Sequence, residues 1–327
     1  MADFFAAYGL FLAQLATFVL LVVVAVVLIA SSRRRGHAEG LVVEHLNRRY
    51  ENSADELKVI IEGKARFKKE AKARSKERKR EEKARAKQES SKPRLFVIDF
   101  KGDLRASAAA SLREEVSAIL HVARPQDRVL VRLENPGGTV HEHGFAASQL
   151  TRLKTHGLTL LVAVDKVAAS GGYLMACVAD RLIAAPFAIV GSIGVLAQLP
   201  NFHRLLEEKG VDFEQIMAGR YKRTLTVFGK NTDEGRAKLQ QEVEDIHELF
   251  KSQIRDHRPQ VDLERVATGE HWYGIRALEL KLVDELRTSD DFLLEAAKDH
   301  DLYHLAYKRR RTWQERVLGG VESLLTR

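Results

Sequence analysis

One serine stands among residues with almost no side chain. In the stretch Ala168-Ala169-Ser170-Gly171-Gly172, the hydroxyl of Ser170 is flanked by alanines and glycines. Such surroundings let a substrate backbone approach a nucleophile closely. If the stretch opens a helix, the unpaired N–H groups of its first turn face any negative charge that develops there and can stabilise an oxyanion. The same residues also suit a plain helix N-cap, a position serine favours. From this stretch alone both readings stand. The pattern Gly-x-Ser-x-Gly is absent, which excludes the nucleophile elbow of α/β-hydrolases.

A second element is Glu134-Asn135-Pro136-Gly137-Gly138. Pro136 stiffens the chain, and the two glycines leave their amides uncovered, so the turn can form an anion-binding nest. A serine nucleophile needs a base, and histidine is the usual one. His141 and His143 lie two apart on an expected helix, where they point in different directions; they make a poor metal pair, and each reads as a helix-surface residue. No HExxH or paired CxxC spacing occurs, so no metal is expected. A desolvated lysine is the other option, because burial disfavours its charge. Lys222, in Gly219-Arg220-Tyr221-Lys222-Arg223-Thr224, is the candidate; Lys166 is weaker. By residue type alone Lys222 is one lysine among many.

These residues need elements to position them. From Arg94 onward, short apolar runs alternate with amphipathic ones. Strands are expected over 95–100, 128–134, 158–164, 181–186 and 211–218, and helices over 111–123, 141–157, from Ala169 onward, and 233–257, with a short one at 201–210. Strands alternating with helices imply an α/β fold with a largely parallel sheet, whose ligands sit beyond the carboxyl ends of the strands. Both glycine-bearing turns fall at such ends. The apolar run 182–200 carries Pro186 and two glycines, and reads as a buried strand and loop rather than a membrane span.

The formal charge of +8 is local. Residues 64–87 hold 13 Lys/Arg and 4 Asp/Glu; subtracting them from 53 and 45 leaves 40 and 41. The remainder is near neutral, which argues against a nucleic-acid partner. The single cysteine, Cys177, excludes an intramolecular disulfide. Tyr8–Ala30 contains no charge and is long enough to span a bilayer as a helix. Asp3 precedes it and Arg33, Arg34 and Arg35 follow, which reads as an uncleaved anchor in contact with lipid rather than a signal peptide. The positive-inside rule favours a cytoplasmic body. The expected division is an anchor over 1–35, a charged helical or disordered linker over 36–92, a catalytic part over 93–300 and a basic amphipathic tail over 301–327.

Taken together, Ala-Ala-Ser-Gly-Gly-Tyr (168–173), Gly-Ser-Ile-Gly-Val (191–195) and Gly-Arg-Tyr-Lys-Arg-Thr (219–224), in that order, resemble the S49 peptidases, the signal peptide peptidase A and SohB group. The motifs cover roughly Arg94 to Leu286; the anchor and basic linker extend the likeness toward the membrane-anchored SohB branch. Lys281 stands where a glycine is common in the family. The resemblance implies a ClpP/crotonase-like fold and a serine–lysine dyad: Ser170 as nucleophile, Lys222 as base, Ser192 orienting the lysine, and the amides of Gly137 and Gly171 as oxyanion hole, with Gly138 as the alternative to Gly137. It implies a single-pass protein of the bacterial inner membrane, no cofactor, peptide or membrane-protein substrates, and self-assembly with sites completed or enclosed between subunits. Two other readings stay open: a crotonase-type acyl-CoA enzyme, for which Glu134 and Glu142 are the nearby carboxylates, and a non-catalytic membrane scaffold on the same fold.

Overall fold

The computed structural model describes residues 2–33, 39–63 and 92–309. The chain divides into two units, Met1–Gly40 with Lys308–Arg327, and Leu41–Tyr307. The first unit contains helix α1, Ala2–Arg33, which includes the uncharged stretch expected to form the anchor. Its side chains are described over residues 7–23 and are exposed. Among the described residues no helix is long and apolar enough to cross a membrane. The basic run 64–87 lies outside the described residues, as does the tail from residue 310.

The second unit is built on a seven-stranded sheet with the order β1-β10-β2-β3-β4-β6-β9. The strands are β1 Gly40–His45, β2 Arg94–Lys101, β3 Arg128–Glu134, β4 Thr159–Val164, β6 Arg181–Ala184, β9 Glu285–Leu286 and β10 Asp301–Lys308. Neighbours from β10 through β9 pair in parallel. Runs such as Thr-Leu-Leu-Val-Ala-Val in β4 suit this, because a parallel strand is buried on both faces. Successive side chains point to opposite faces. Phe96, Ile98, Val129, Val131 and Val162 therefore join one core, with helices α3 (Ala109–Val122), α4 (Val140–Thr155) and α7 (Asp233–His257). Leu95, Val97, Leu130 and Leu161 join a second core, with α2 (Leu46–Glu62) and α10 (Ser289–Asp299).

A small second sheet positions the site. Strand β5 (Val167–Ala169) pairs in parallel with β7 (Ile189–Gly191), and β7 pairs antiparallel with β8 (His271–Tyr273). A single bridge, Asn135 to Ala168, joins the end of β3 to β5. This bridge brings the Asn-Pro-Gly-Gly turn beside Ser170. The remaining helices are short: α5 Gly171–Ala176, α6 His203–Glu208, α8 Leu263–Val266 and α9 Gly274–Glu279.

The alternating pattern is realised as a mixed α/β architecture, with three departures. The expected strand 211–218 is irregular and exposed throughout. Its first four residues, Val-Asp-Phe-Glu, alternate apolar and polar as a strand does, but among the described residues no sheet edge pairs with it, and Ile216 is 98% exposed. Residues 40–62 of the expected 36–92 linker form β1 and α2, helical in part as expected but packed on the body rather than merely leading to it: Leu46 is buried, and the Asn47 amide donates to the carbonyls of Ala297 and His300 while its Oδ1 accepts from Leu302 N–H. The start of the expected tail is strand β10, which lies inside the sheet between β1 and β2. Its Leu302 and Leu305 are buried; this short apolar alternation is easily merged by eye with the arginines that follow it.

Candidate active site

Ser170 occupies the N-cap position of α5 but does not cap it. A capping serine has extended backbone and accepts a hydrogen bond from an N–H of the first turn. Thr232 does this for α7, accepting from Gly235 N–H, and Thr288 does it for α10. Ser170 instead has φ 51° and ψ −120°, and its side chain makes no cap bond. A non-glycine residue at positive φ costs on the order of 1–3 kcal/mol and persists where the surroundings impose it. Here the imposition is visible: Ser170 N–H donates to Gly191 O at 2.8 Å, and Ser170 O accepts from Leu174 N–H at 3.0 Å. Ser170 is half-buried and lines a cleft of about 410 Å³ together with Gly138, Gly171, Leu174, Val195 and Phe250.

The glycines around Ser170 make room chiefly for protein. A Cβ on Gly171 would lie 2.5 Å from Cγ of His143, and one on Gly172 would lie 2.1 Å from the carbonyl oxygen of Asn135. Gly137 has φ 96°, and a Cβ there would lie 2.7 Å from Ala169 O and 2.8 Å from Cβ of Ser170. The turn and the serine are therefore in direct apposition. Gly137 N–H donates to Asn135 Oδ1 at 2.9 Å, so it is engaged inside its own turn. Gly138 is the glycine of the pair that lines the cleft with Ser170 and Gly171.

The other expected residues fall as follows. Ser192 is half-buried, with φ 52°, and its N–H donates to Glu270 O at 2.7 Å; it directly follows the carbonyl that holds Ser170. Lys222 lies in an irregular, exposed segment and does not line the cleft. Gly137, Ser170, Gly171 and Ser192 are thus assembled by one chain, and Lys222 is not brought to them within it. Lys166 is committed elsewhere, with Nζ 3.2 Å from both carboxylate oxygens of Glu134. Neither Glu134 nor Glu142 lines the cleft. Among the described residues no group of three or more His, Cys, Asp or Glu could hold a metal ion. Cys177 is fully buried, and burial pushes its thiol up to about 12, so it is no nucleophile.

His141 is an exposed helix-surface residue, as expected, but His143 is not: it is 0% exposed. The signal was present in the spacing. His143 stands three and four residues before Ala146 and Ala147 and seven before Leu150, on the buried stripe of α4.

The description "Peptidase family S49 N-terminal" matches residues 3–150, and "Peptidase family S49" matches residues 152–303. A protein of Haemophilus influenzae described as "Probable protease SohB" is 46% identical over 320 residues, covering 95% of this chain and 91% of its own. A "Probable protease SohB" of Buchnera aphidicola is 53% identical over 232 residues, covering 71% of this chain and 69% of its own. Among solved structures, the ClpP protease catalytic domain from Plasmodium falciparum overlays at a TM-score of 0.37 with 8% identity, covering 60% of this chain and 86% of that one; so loose a likeness supports nothing further. The sequence relationships are close and span nearly the whole length: the chain belongs to peptidase family S49, among its SohB-like proteases.

Proposed function

We propose that the protein is a membrane-anchored serine endopeptidase in which Ser170 and Lys222 form a catalytic dyad on a ClpP/crotonase-like fold. The observation that carries this reading is Ser170 itself, a strained, uncapped hydroxyl at the mouth of an apolar cleft beside two glycine amides. Neutral Lys222 takes the Ser170 proton as Oγ attacks a peptide carbonyl. The amides of Gly171 and of the Asn-Pro-Gly-Gly turn hold the oxyanion; with Gly137 N–H engaged by Asn135, Gly138 is the donor of choice in that turn. The lysinium then protonates the leaving amine, and water deprotonated by the same lysine hydrolyses the acyl-enzyme. Ser192 orients the lysine. The chemistry uses no cofactor and no metal.

Lys222 serves a neighbouring subunit's Ser170 in this reading. Its segment is exposed and carries uncovered apolar side chains: Phe202, Phe213, Phe228 and the almost fully exposed Ile216. A second copy packed over that surface would cover them and desolvate the lysine, and a desolvated lysine gives up its proton more readily. The apolar lining of the cleft fits apolar, unfolded or signal-peptide-like segments as substrates. The uncharged stretch Tyr8–Ala30 is the single-pass anchor in the inner membrane, with the arginines after it favouring a cytoplasmic body.

Hydrolysis of an apolar peptide by the detergent-solubilised full chain tests this reading. Ser170→Ala and Lys222→Ala are each expected to lose turnover by a factor on the order of 10³ or more, and the two variants co-expressed in one cell are expected to recover part of it. Wild-type turnover in Lys222→Ala would overturn the dyad. Two inert variants that never complement would place both groups in one subunit.

A further inference from the structure

His143 and Asn135 form a buried pair directly beneath the nucleophile. Asn135 and His143 are both 0% exposed. Asn135 Oδ1 accepts Gly137 N–H at 2.9 Å. That backbone donor fixes which end of the side-chain amide is oxygen. His143 Nε2 lies 3.2 Å from the same Oδ1, and the other ring nitrogen, Nδ1, lies 2.9 Å from Thr139 O. Both neighbours are acceptors: the Nε2–H tautomer donates to Asn135, the Nδ1–H tautomer to Thr139, and only the protonated ring to both. Asn135 Nδ2 meets the Met175 sulfur at 3.3 Å. The Asn135 backbone also clasps β5: its N–H donates to Val167 O at 2.8 Å, and its carbonyl accepts Ala169 N–H at 3.0 Å.

Three glycines exist at the size this pair requires. A Cβ on Gly102 would lie 2.3 Å from Cγ of Asn135, one on Gly171 would lie 2.5 Å from Cγ of His143, and one on Gly172 would lie 2.1 Å from Asn135 O. Contacts below about 3 Å leave no space for a side chain. One residue thus touches the oxyanion turn and the histidine under Gly171 through its side chain, and the strand that delivers Ser170 through its backbone. Burying two polar side chains in so tight a space is costly unless their hydrogen bonds are made.

We propose that His143 is a positioning residue: it donates from Nε2 to Asn135 Oδ1, and Asn135 in turn holds Gly137 N–H, so that the turn presents its next amide, Gly138, to the cleft together with that of Gly171. His143 touches no substrate. It acts on the oxyanion through Asn135, and its imidazole also forms the floor on which Gly171 rests. This inference rests on the peptidase reading of the site.

The test uses full-length protein and two ligands: a peptide substrate, and the corresponding peptide aldehyde, whose adduct with a serine places an oxyanion in the hole. His143→Phe keeps the ring volume and removes the donor. It is expected to lower kcat about tenfold to a hundredfold, less than the ~10²–10³ lost when an oxyanion donor is removed outright, with KM nearly unchanged. Aldehyde affinity is expected to fall in step with kcat/KM, while the melting temperature changes little. His143→Gln offers an amide N–H near the position of Nε2 and is expected to restore most of the loss. A His143→Phe enzyme with wild-type kcat overturns the inference, as does one whose kcat falls while aldehyde affinity holds. If His143→Phe does not accumulate, His143→Gln decides: aldehyde affinity within about threefold of wild type supports the inference, and a loss of tenfold or more overturns it. Absence of Ser170-dependent turnover in the wild type would overturn the peptidase reading and this inference with it; Ser170-dependent turnover indifferent to His143→Phe overturns this inference alone.

Discussion

Ser170 N–H donates to the carbonyl of Gly191 at 2.8 Å. This bond ties Ser170 to β7 and to the residue just before Ser192, so that two sequence motifs, 168–173 and 191–195, become one piece of backbone. It also holds Ser170 in the left-handed region that its helix-entry position does not otherwise demand.

The strain makes a prediction in which stability and activity move oppositely. Ser170→Gly removes the Cβ that disfavours φ 51°. After allowing for the greater freedom of glycine in the unfolded chain, the variant should gain about 1 kcal/mol, or roughly 2–4 °C in melting temperature for a domain of this size. It should be catalytically inert. Ser170→Ala should be equally inert with no such gain. Calorimetry on the three proteins checks this; equal melting temperatures for Gly and Ala would mean that the backbone there stores no strain.

Gly144 is a lever on substrate size. It lies within α4 on the wall of the cleft, and a Cβ there would meet nothing within 4 Å. Gly144→Ala should stabilise the helix by up to about 1 kcal/mol and leave small-residue substrates untouched. Gly144→Leu should raise KM for peptides with large apolar side chains while sparing those with alanine. Profiling with a peptide library reads the difference, and an unchanged preference would remove the cleft from substrate recognition.

Lys281 follows α9 with φ 60°, a position where helices commonly end in glycine. Its side chain is exposed, and its carbonyl accepts from the buried Arg258 guanidinium at 3.1 Å. That bond uses only the backbone, so Lys281→Gly should keep it and stabilise the fold by about 1 kcal/mol. Denaturant unfolding of the solubilised chain checks this; a loss of stability would show that the lysine side chain contributes a contact of its own.

Glu115 is 5% exposed in α3 and accepts Tyr307 N–H at 2.7 Å. Burial raises its carboxyl to about 7, against the lowering effect of that hydrogen bond. A folded-state value above the unfolded one means the native protein holds a proton that the unfolded chain has released. Stability should therefore decline as pH rises from about 4.5 to about 7 and level off above. Glu115→Gln keeps an acceptor for Tyr307 and removes the titration. Its melting temperature relative to wild type should be clearly higher at pH 8 than at pH 5; an equal difference at both would show that the carboxyl does not titrate in this way.

Much of this architecture was legible in the residues. The limits of β3 are marked by the apolar run Val-Leu-Val between charged residues in Arg-Val-Leu-Val-Arg-Leu-Glu, and those of α7 by Thr232 as cap with Asp233 and Glu234 in the first turn. Ser170 and the two glycine-rich turns were readable from side-chain size and from their place at strand ends. The backbone angle of Ser170 was not, because it is set by Gly191, which nothing near Ser170 in sequence specifies. His143 was misread since His-Glu-His looks polar, although its spacing to Ala147 and Leu150 puts it on the buried stripe. The segment 211–218 misled because alternation alone does not supply a strand with a partner. Lys222 illustrates the same limit: a motif names a residue but not the surface that must cover it.

Labelling of the full-length protein with a fluorophosphonate probe, with the modified residue identified by mass spectrometry, tests the serine–lysine pairing most directly. One labelled serine, Ser170, is expected, with labelling abolished in Ser170→Ala and lost in Lys222→Ala while both variants remain folded. Full labelling of Ser170 in Lys222→Ala, or labelling that maps to another serine, would contradict it.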